Sequence, residues 1–321
     1  MVGKFNPIML PSCMLTPAGC LTDEEAAKLM EKGMWMQPKI DGVRIRLLLV
    51  PNDSNRLILS KATTRSGDLI ENNLFNILSD IIDGKISCGS IVTAVLLEGE
   101  FLYDKDMQKS AGIVHSKHIN IDSSLCEVFL FDSLTRTDKW EVADKYSTRF
   151  ADTIRAWELI DDLRIQLLPV LQHNEDDVEK SFDEMTRYVL NWCQFRQLDF
   201  EGIMFKKPDA GYVTGRTSMI QRWKRQLETE ATVVDVIEME TFDNKPTGMA
   251  GALIMRSDKW EQVFRASTSP LTHDIRKKVW ENKEVLIGET FTISYMAFGN
   301  KDAPRMPRIS KQDIVKFFFG D

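Results

Sequence analysis

The chain has 321 residues, of which 43% are hydrophobic and 28% charged. This composition is typical of globular proteins and excludes a disordered chain, a collagen-like fibre and a disulfide scaffold. The formal net charge of −7 argues against a protein that coats nucleic acid non-specifically, although it does not exclude a local basic groove. The length exceeds what one hydrophobic core usually serves and predicts two domains.

The first 228 residues are predicted to mix helices and strands. A capping box at Thr22-Asp23-Glu24-Glu25 opens the first helix, and the apolar run "VRIRLLLV" is typical of a strand buried on both faces. In chain order, the elements are a helix from Thr22 to Gly33, strands over Trp35–Val50 and Arg56–Ala62, a helix over Glu71–Ile82, strands over Ser90–Tyr103 and Leu125–Phe131, helices over Val142–Leu163 and Asp176–Arg196, and strands over Gly202–Phe205 and Met219–Lys224.

Residues 229–321 have a different pattern. The segments "ATVVDVIEM", "GALIMRS" and "WEQVFRAS" read as successive short strands joined by turn residues. Ser269 and Pro270 read as the N-cap and first residue of a helix that ends near Asn282, and "ETFTISYMAF" reads as a final strand. This order and size predict a small barrel of the OB type.

Cysteine usage and hydropathy bear on location. The five cysteines include no CxxC pair, so neither a zinc site nor a disulfide framework is expected. This cysteine usage instead predicts a protein of the reducing cytoplasm. No apolar run approaches the roughly 18–20 residues that a membrane span needs, so no membrane partner is expected.

The hexapeptide Lys39-Ile40-Asp41-Gly42-Val43-Arg44 separates two predicted strands. A simple hairpin turn at Asp-Gly with two exposed cations would explain it. So would a lysine nucleophile beside a tight turn through which the backbone approaches a ligand. Lysine suits that role because its amine can lose its proton, whereas a guanidinium stays charged.

Further motifs follow in order: Thr64-Arg65-Ser66-Gly67, Glu98-Gly99-Glu100, Phe131-Asp132, Glu201-Gly202-Ile203-Met204-Phe205-Lys206 and Arg222-Trp223-Lys224. The ordered set resembles the motifs of covalent nucleotidyltransferases, which include ATP-dependent DNA ligases, RNA ligases and mRNA capping enzymes. The segment "LEGEFLYDKDMQKSAGIVHSKH" is most similar to the sequences of small two-domain bacteriophage DNA ligases. Glu98 replaces the usual aspartate and Arg222 replaces the usual lysine, and both changes keep the charge.

The resemblance implies an α+β fold. A nucleotidyltransferase (adenylation) domain with mixed antiparallel sheets is expected over residues 1–228, and a C-terminal OB-fold β-barrel over residues 229–321. An OB domain tracks a nucleic-acid backbone by charge and stacking rather than by reading sequence.

The resemblance also implies site residues. Lys39 would form a lysyl-AMP intermediate, and Asp41 and Gly42 would shape the turn beside it. The residues expected to bind ATP are Gln37, Pro38, Ile40, Arg44, Arg65, Glu100, Phe131, Lys206, Arg216, Arg222 and Lys224. Glu100 and Glu201 would hold Mg²⁺ or Mn²⁺.

Two of these assignments have open alternatives. Phe131 would stack on adenine, but an aromatic residue that ends an apolar strand also suits a core position. Arg305 and Lys311 would orient the leaving pyrophosphate, but their segment also reads as a solvated loop.

The function implied is that of an ATP-dependent DNA ligase that seals 5′-phosphate/3′-hydroxyl nicks through a lysyl-AMP and an adenylated DNA end. The expected partners are ATP and nicked duplex DNA, and the protein is expected to be monomeric. An RNA ligase and an mRNA capping guanylyltransferase share the same core and stay open. A non-catalytic nucleic-acid-binding protein is a further alternative.

Overall fold

The computed structural model describes residues 9–17, 19–172, 181–296 and 303–320. The chain divides into two compact units, Met1–Trp223 and Lys224–Asp321. The division falls a few residues before the 228/229 boundary expected from the sequence. The reason is that the first strand of the second unit already begins at Gln226, ahead of the apolar pattern that marks it in the sequence.

The first unit contains ten strands and five helices among its described residues. In chain order these are β1 (Met14–Leu15), α1 (Asp23–Glu31), β2 (Trp35–Ile40), β3 (Val43–Pro51), β4 (Leu57–Thr64), α2 (Asn73–Ile82), β5 (Ala94–Tyr103), α3 (Met107–His115), β6 (Cys126–Arg136), α4 (Tyr146–Ile160), β7 (Ile165–Leu167), α5 (Phe182–Phe195), β8 (Phe200–Lys206), β9 (Gly215–Arg216) and β10 (Ile220–Lys224).

Two main sheets organise these elements. One has five strands in the order β4-β3-β5-β6-β7, and the other has three in the order β10-β8-β2. All pairs within the larger sheet are antiparallel except β6 with β7. A short parallel pair joins β1 to β9. The mixture of helices with largely antiparallel sheets confirms the α+β class for this unit.

Local sequence explains where several helices begin and what they bury. The Thr22 hydroxyl accepts a hydrogen bond from the Glu25 N–H, and the Glu25 carboxylate accepts one from the Thr22 N–H. The predicted capping box is therefore confirmed. Helix α2 buries Leu74, Leu78 and Ile81 on one face against the larger sheet. Each such side chain contributes about 1.5–3 kcal/mol of burial free energy.

Other boundaries differ from the sequence-based ones. Helix α4 starts at Tyr146 rather than Val142, because the Val142 carbonyl instead accepts the Tyr212 N–H at 2.7 Å. Helix α3 and strand β7 were not predicted. Helix α5 begins after its own capping box at Ser181, and the predicted start at Asp176 lies outside the described residues.

The second unit contains β11 (Gln226–Glu240), β12 (Pro246–Arg256), β13 (Phe264–Ser267), α6 (His273–Glu281), α7 (Lys283–Leu286), β14 (Thr290–Met296), β15 (Arg305–Ile309) and α8 (Lys311–Phe319). Its five strands close into a barrel in the order β11-β12-β13-β15-β14. Register shifts in the long strand β11, such as the one between Val233 and Asp235, let one strand bend between two neighbours. The barrel interior forms a core separate from those of the first unit.

Two expectations for this unit were wrong. The helix does not begin at Ser269 and Pro270, because these residues form a turn closed by the Leu271 N–H on the Thr268 carbonyl. Thr272 caps α6 instead, accepting from the Ile275 N–H. The segment "ETFTISYMAF" is also not the final strand, because Arg305–Ile309, for which a solvated loop was the alternative, pairs with β14 as strand β15.

Every helix in the described part of the chain is too short or too polar to cross a lipid bilayer.

Candidate active site

A cavity of about 510 Å³ opens in the first unit, lined by strands of both main sheets. It lies within the size range of small-molecule sites, which runs from about 300 to 1,000 Å³. Eleven of the residues singled out from the sequence line it: Gln37, Pro38, Lys39, Ile40, Gly42, Arg44, Arg65, Glu100, Phe131, Lys206 and Arg222. The cavity therefore gathers side chains that are up to 185 positions apart in the chain.

Lys39 reaches the cavity from the end of β2. This strand pairs antiparallel with β8, where Lys39 lies opposite Gly202, and the register shifts at the next residue. The Lys39 ammonium forms an ion pair with the Glu201 carboxylate, which is almost fully buried, while the lysine side chain stays partly exposed. An amine in the cavity, held by a carboxylate on the neighbouring strand, has the access that a nucleophile needs.

Gly42 lies in the turn between β2 and β3 and packs closely against β5. A Cβ added there would be 2.7 Å from Glu100 Cγ and 2.8 Å from the Phe101 carbonyl oxygen. Only a residue without a side chain therefore permits this turn.

We expect Gly42→Ala to lower the free energy of unfolding by about 1–3 kcal/mol, because the backbone oxygen of Phe101 cannot move aside for the new methyl group. Gly89→Ala is the matched control, since its Cβ would meet no atom within 4 Å. Urea unfolding of both variants measures the difference. Equal stabilities would contradict the close approach at Gly42.

Two arginines and a buried glutamate form a cluster beside the cavity, and Arg44 of this cluster lines it. Arg44 Nη2 lies 2.5 Å and Arg46 Nε 2.9 Å from the Glu98 carboxylate, whose side chain is 1% exposed. Tyr212 donates its hydroxyl to the same carboxylate at 3.0 Å. Burial opposes the charge on Glu98, but the two guanidinium groups outweigh it and hold the pKa of Glu98 below its ordinary value.

Glu100, two residues further along β5, is in a different environment. Burial raises its pKa to about 7, and the positive charges of Lys39 and Arg44 offset only part of that rise. The neighbouring carboxylates of Glu201 and Asp41 raise it further. Burial of Glu100 therefore favours its protonated form more than the nearby cations favour its carboxylate.

Phe131 and Lys206 also line the cavity. The Phe131 ring lies under two cations, with Arg44 Cζ 5.2 Å and Lys206 Nζ 4.9 Å from its centroid. Lys206 Nζ donates to the Phe131 carbonyl and to the Tyr146 hydroxyl, each at 3.1 Å. The ring is only partly buried and lines the cavity, although it also packs against the core around β2 and β8.

Burial lowers the pKa of Lys206 to about 7. Its unfolded-state value is ordinary, so between about pH 7 and 10 the unfolded chain binds the extra proton and stability rises with pH. The same stability is lost progressively as the pH falls from about 10 to about 7.

We therefore expect the free energy of unfolding to rise by about 1–2 kcal/mol between pH 7 and 8.5 in the native protein, and not in Lys206→Met. Lys207→Met removes an exposed lysine next to it and should keep the native slope. Urea titrations at several pH values measure all three. A slope that survives in Lys206→Met would mean that another group causes it.

Gln37 and Arg222 complete the cavity. Gln37 is 1% exposed and its Nε2 donates to the Leu168 carbonyl at 3.3 Å, so the side chain is fixed rather than free to rotate. Arg222 Nε donates to the Gly19 carbonyl at 3.0 Å. Both therefore present a fixed polar group at the wall.

Six sequence-selected residues, Glu201 among them, are not among the cavity-lining residues of the described chain. Asp41 donates its N–H to the Asp199 carbonyl, and Arg216 lies exposed on β9, where its Nη1 donates to the Thr16 carbonyl at 3.4 Å. Three others belong to the second unit: Lys224 with its Nζ 3.9 Å from Met296 Sδ, Arg305 in β15, and Lys311 at the start of α8. Glu201 contacts the site through Lys39.

Sequence reasoning missed several residues around the cavity. Glu98 was noted as part of a motif but given no role of its own. Arg46 was not singled out, although Arg44 and Arg46 share one face of a strand by their spacing. Tyr146, Tyr212 and Arg149 carried no local signal, because only the fold brings them to the motifs. The segment Met14–Thr16 and His115 also line the cavity.

The described ranges hold no group of three or more His, Cys, Asp or Glu side chains placed to bind a metal ion. Glu100 and Glu201 are nevertheless hard oxygen donors whose charges interact. Mg²⁺ commonly takes one or two carboxylates and fills its remaining positions with water or substrate. The raised pKa of Glu100 fits a site that gains from an added cation.

Comparisons with known proteins support the fold. No protein-family profile and no curated protein sequence matches the chain. A solved structure described as "Pmar-Lig_Pre." matches with a TM-score of 0.67 and 23% identity over 93% of this chain and 66% of its own. The chain thus spans about two thirds of that protein's length.

Two further solved structures are named as ligases. One, from a structure-function study of Lig E DNA ligases, matches with a TM-score of 0.63 and 16% identity over 94% of this chain and 99% of its own. The other, an ATP-dependent DNA ligase of bacteriophage T7 in complex with ATP, matches with a TM-score of 0.50 and 13% identity over 93% and 98%. The resemblance to small nucleotidyltransferase-type ligases is thereby confirmed at the level of the fold.

Proposed function

We propose that this protein is an ATP-dependent DNA ligase that works through a lysyl-AMP intermediate. The observation that carries the proposal is a lysine amine in a nucleotide-sized cavity, paired with a buried glutamate and surrounded by further cations. The shared fold with DNA ligases supports the substrate class.

In this proposal ATP binds in the cavity with its base against Phe131. Gln37, whose amide nitrogen is engaged by Leu168, would offer its oxygen to the exocyclic amine. Pro38 and Ile40 would close the base site, and Glu100 would accept from the ribose. The phosphates would meet the positive wall of Arg44, Arg65, Lys206 and Arg222.

The first step is attack of the deprotonated Lys39 nitrogen on the α-phosphorus, which forms a P–N bond and releases pyrophosphate. Such transfers depend on in-line positioning and on neutralising charge at the equatorial oxygens more than on acid–base chemistry. The cations of the wall provide that neutralisation. AMP then passes to the 5′-phosphate of a nick, and the 3′-hydroxyl displaces it to seal the strand.

Glu100 and Glu201 would hold Mg²⁺, or Mn²⁺ in its place. When bound, the ion would neutralise phosphate charge and help orient the nucleotide. The two carboxylates would also keep Lys39 directed toward the cavity.

The second unit would be an OB domain over residues 229–321, after an adenylation domain over residues 1–228. A closed five-stranded barrel with helices α6 and α7 between β13 and β14 supports this assignment. Arg305 and Lys311 would orient pyrophosphate, and Lys224 and Arg216 would add positive charge for the phosphates. The protein would act on nicked duplex DNA as a monomer.

A nick-sealing assay tests the proposal. Matched nicks in DNA and RNA duplexes are incubated with the protein, Mg²⁺ and either ATP or GTP, and covalent adducts are followed by intact mass. Sealing of DNA with ATP alone is expected. Because phosphate contacts dominate binding, sealing should weaken as salt rises.

The other outcomes separate the alternatives. Sealing of RNA in preference to DNA would support an RNA ligase, and a GMP adduct without sealing would support a capping guanylyltransferase. An absence of any adduct with either nucleotide would leave a nucleic-acid-binding protein without this catalysis.

A further inference from the structure

Arg149 is a buried cation behind the cavity wall that the proposed reaction does not use. Its side chain is 3% exposed, and it lies on α4, far in sequence from every motif. Its Nε and Nη2 reach the two oxygens of Asp132 at 2.9 and 3.1 Å. Its Nη1 donates to the carbonyls of Asp144 and Ala210 at 2.6 and 3.2 Å. The guanidinium is therefore fixed on both sides.

Asp132 stands between this arginine and the cavity. It follows Phe131 on β6, is 5% exposed and lines the cavity wall. Its negative charge acts on Lys206 more strongly than any other charge does, while Arg149 acts on Lys206 in the opposite direction. Lys206 nevertheless donates to the Phe131 carbonyl and the Tyr146 hydroxyl instead of pairing with Asp132.

Two tyrosines extend the same arrangement. The Arg149 guanidinium carbon lies 5.5 Å from the ring centroids of both Tyr146 and Tyr212. Tyr146 accepts from Lys206, and Tyr212 donates to Glu98, which holds Arg44. Arg149 thus contacts both tyrosines, one bonded to Lys206 and the other to the carboxylate that pairs with Arg44, and these are the two cations that flank the Phe131 ring.

We propose that Arg149 is a positioning residue that occupies both oxygens of Asp132 and so keeps the Lys206 ammonium directed at the cavity. The proposal rests on the proposed function, in which Lys206 meets the ATP phosphates. Without Arg149, the buried Asp132 carboxylate would lose this ion pair, and Lys206, on which Asp132 acts more strongly than any other charge does, would be the cation available to it. An unpaired buried charge is costly, so Lys206 would turn toward Asp132 and away from the nucleotide.

Arginine suits this role better than lysine because its planar fork matches both carboxylate oxygens at once. A lysine at position 149 could supply the charge but could not hold both oxygens and both backbone carbonyls. We therefore expect Arg149→Lys to be folded and partly defective.

The experiment compares Arg149→Met, Arg149→Lys and the double variant Arg149→Met/Asp132→Asn with the native protein. Arg155→Met, an exposed arginine on the same helix, is the matched control. Two quantities are measured on the full chain: the rate of AMP adduct formation at saturating and limiting ATP, and the pH profile of Lys206 acetylation by acetic anhydride, read by peptide mapping.

We expect Arg149→Met to slow adduct formation at least about tenfold, one pKa unit of altered interaction being a factor of ten. The midpoint of Lys206 acetylation should rise by at least about one pH unit. The double variant should recover most of both losses, because the competing carboxylate is gone. Arg149→Lys should lie between, and Arg155→Met should match the native protein.

An unchanged Lys206 profile in folded Arg149→Met, or a double variant as defective as the single one, would overturn the proposal. If Arg149→Met does not fold, Arg149→Lys carries the same comparison. Failure of the native protein to form an AMP adduct would count against the proposed function. The acetylation profiles would still decide whether Arg149 positions Lys206.

Discussion

Lys39→Ala is expected to abolish formation of the AMP adduct, with a loss of at least about 10³-fold, since removal of a nucleophile can cost about 10⁶-fold. No other amine has both the cavity position and the carboxylate contact that Lys39 has with Glu201 in the part of the chain that the structure describes. Intact mass after incubation with ATP and Mg²⁺ measures the loss.

Lys39→Arg separates a nucleophile from a simple cation. Arginine keeps the charge beside Glu201 but cannot lose its proton at accessible pH, so this variant should be as inactive as Lys39→Ala. Lys28→Ala, which removes an exposed lysine from α1, should form the adduct at the native rate. A Lys39→Arg variant that still forms the adduct would contradict the covalent role of Lys39.

A pre-adenylated nick provides a second control. Sealing of such a nick needs only attack by the 3′-hydroxyl, so Lys39→Ala should still carry it out. Retention of this activity would show that the variant folds and binds DNA. Lys206 is the other lysine that could act as a nucleophile, because its pKa of about 7 leaves part of it deprotonated. An AMP adduct that maps to Lys206 in Lys39→Ala would mean that Lys39 is not the nucleophile.

Glu98→Ala is expected to lower the free energy of unfolding by about 3–5 kcal/mol, the usual cost of removing one partner of a buried ion pair. Glu98 is 1% exposed and holds Arg44 and Arg46, of which Arg46 is 4% exposed. Without the carboxylate, Arg46 would stay buried. Among the described residues, its side chain would then keep only the hydrogen bond to the Pro11 carbonyl.

Urea unfolding measures this effect, with Glu24→Ala as the control. Glu24 also forms an ion pair, with Lys28, but both side chains are exposed, so its loss should cost less than about 1 kcal/mol. The pKa of Glu98 is lowered in the folded chain, so its contribution should also disappear as the pH falls into the acidic range. A cost below about 1 kcal/mol for Glu98→Ala would mean that the arginines find other partners.

The elements that the sequence predicted well are those whose signals are local. The Thr22 capping box depends on residues three positions apart, and the buried strand β3 on a continuous apolar run. The helix at Ser269 and Pro270 was misplaced because a proline suits both a helix start and a turn. Which of the two forms depended on the Thr268 carbonyl and on the better cap at Thr272.

The candidate site shows the same division. Its motif residues were found because nucleotide chemistry needs particular side chains at fixed short spacings, as in the hexapeptide from Lys39 to Arg44. Their convergence in one cavity depends on strand pairing, such as Arg44 opposite Glu100 and Arg46 opposite Glu98. Register between strands far apart in the chain has no signature in either strand alone.

By itself, the sequence determined the α+β class, the two-part organisation of the pattern, and the identity of the side chains around Lys39, because these follow from local periodicity and motif spacing. The tertiary structure alone decided how those side chains are held. Arg149, Tyr146 and Tyr212 come from helices and loops with no motif of their own. Burial shifts the pKa values of Glu100 and Lys206, whereas the neighbouring arginines hold that of Glu98 below its ordinary value. Burial and charge proximity are properties of the packed chain, so no reading of neighbouring residues could supply them.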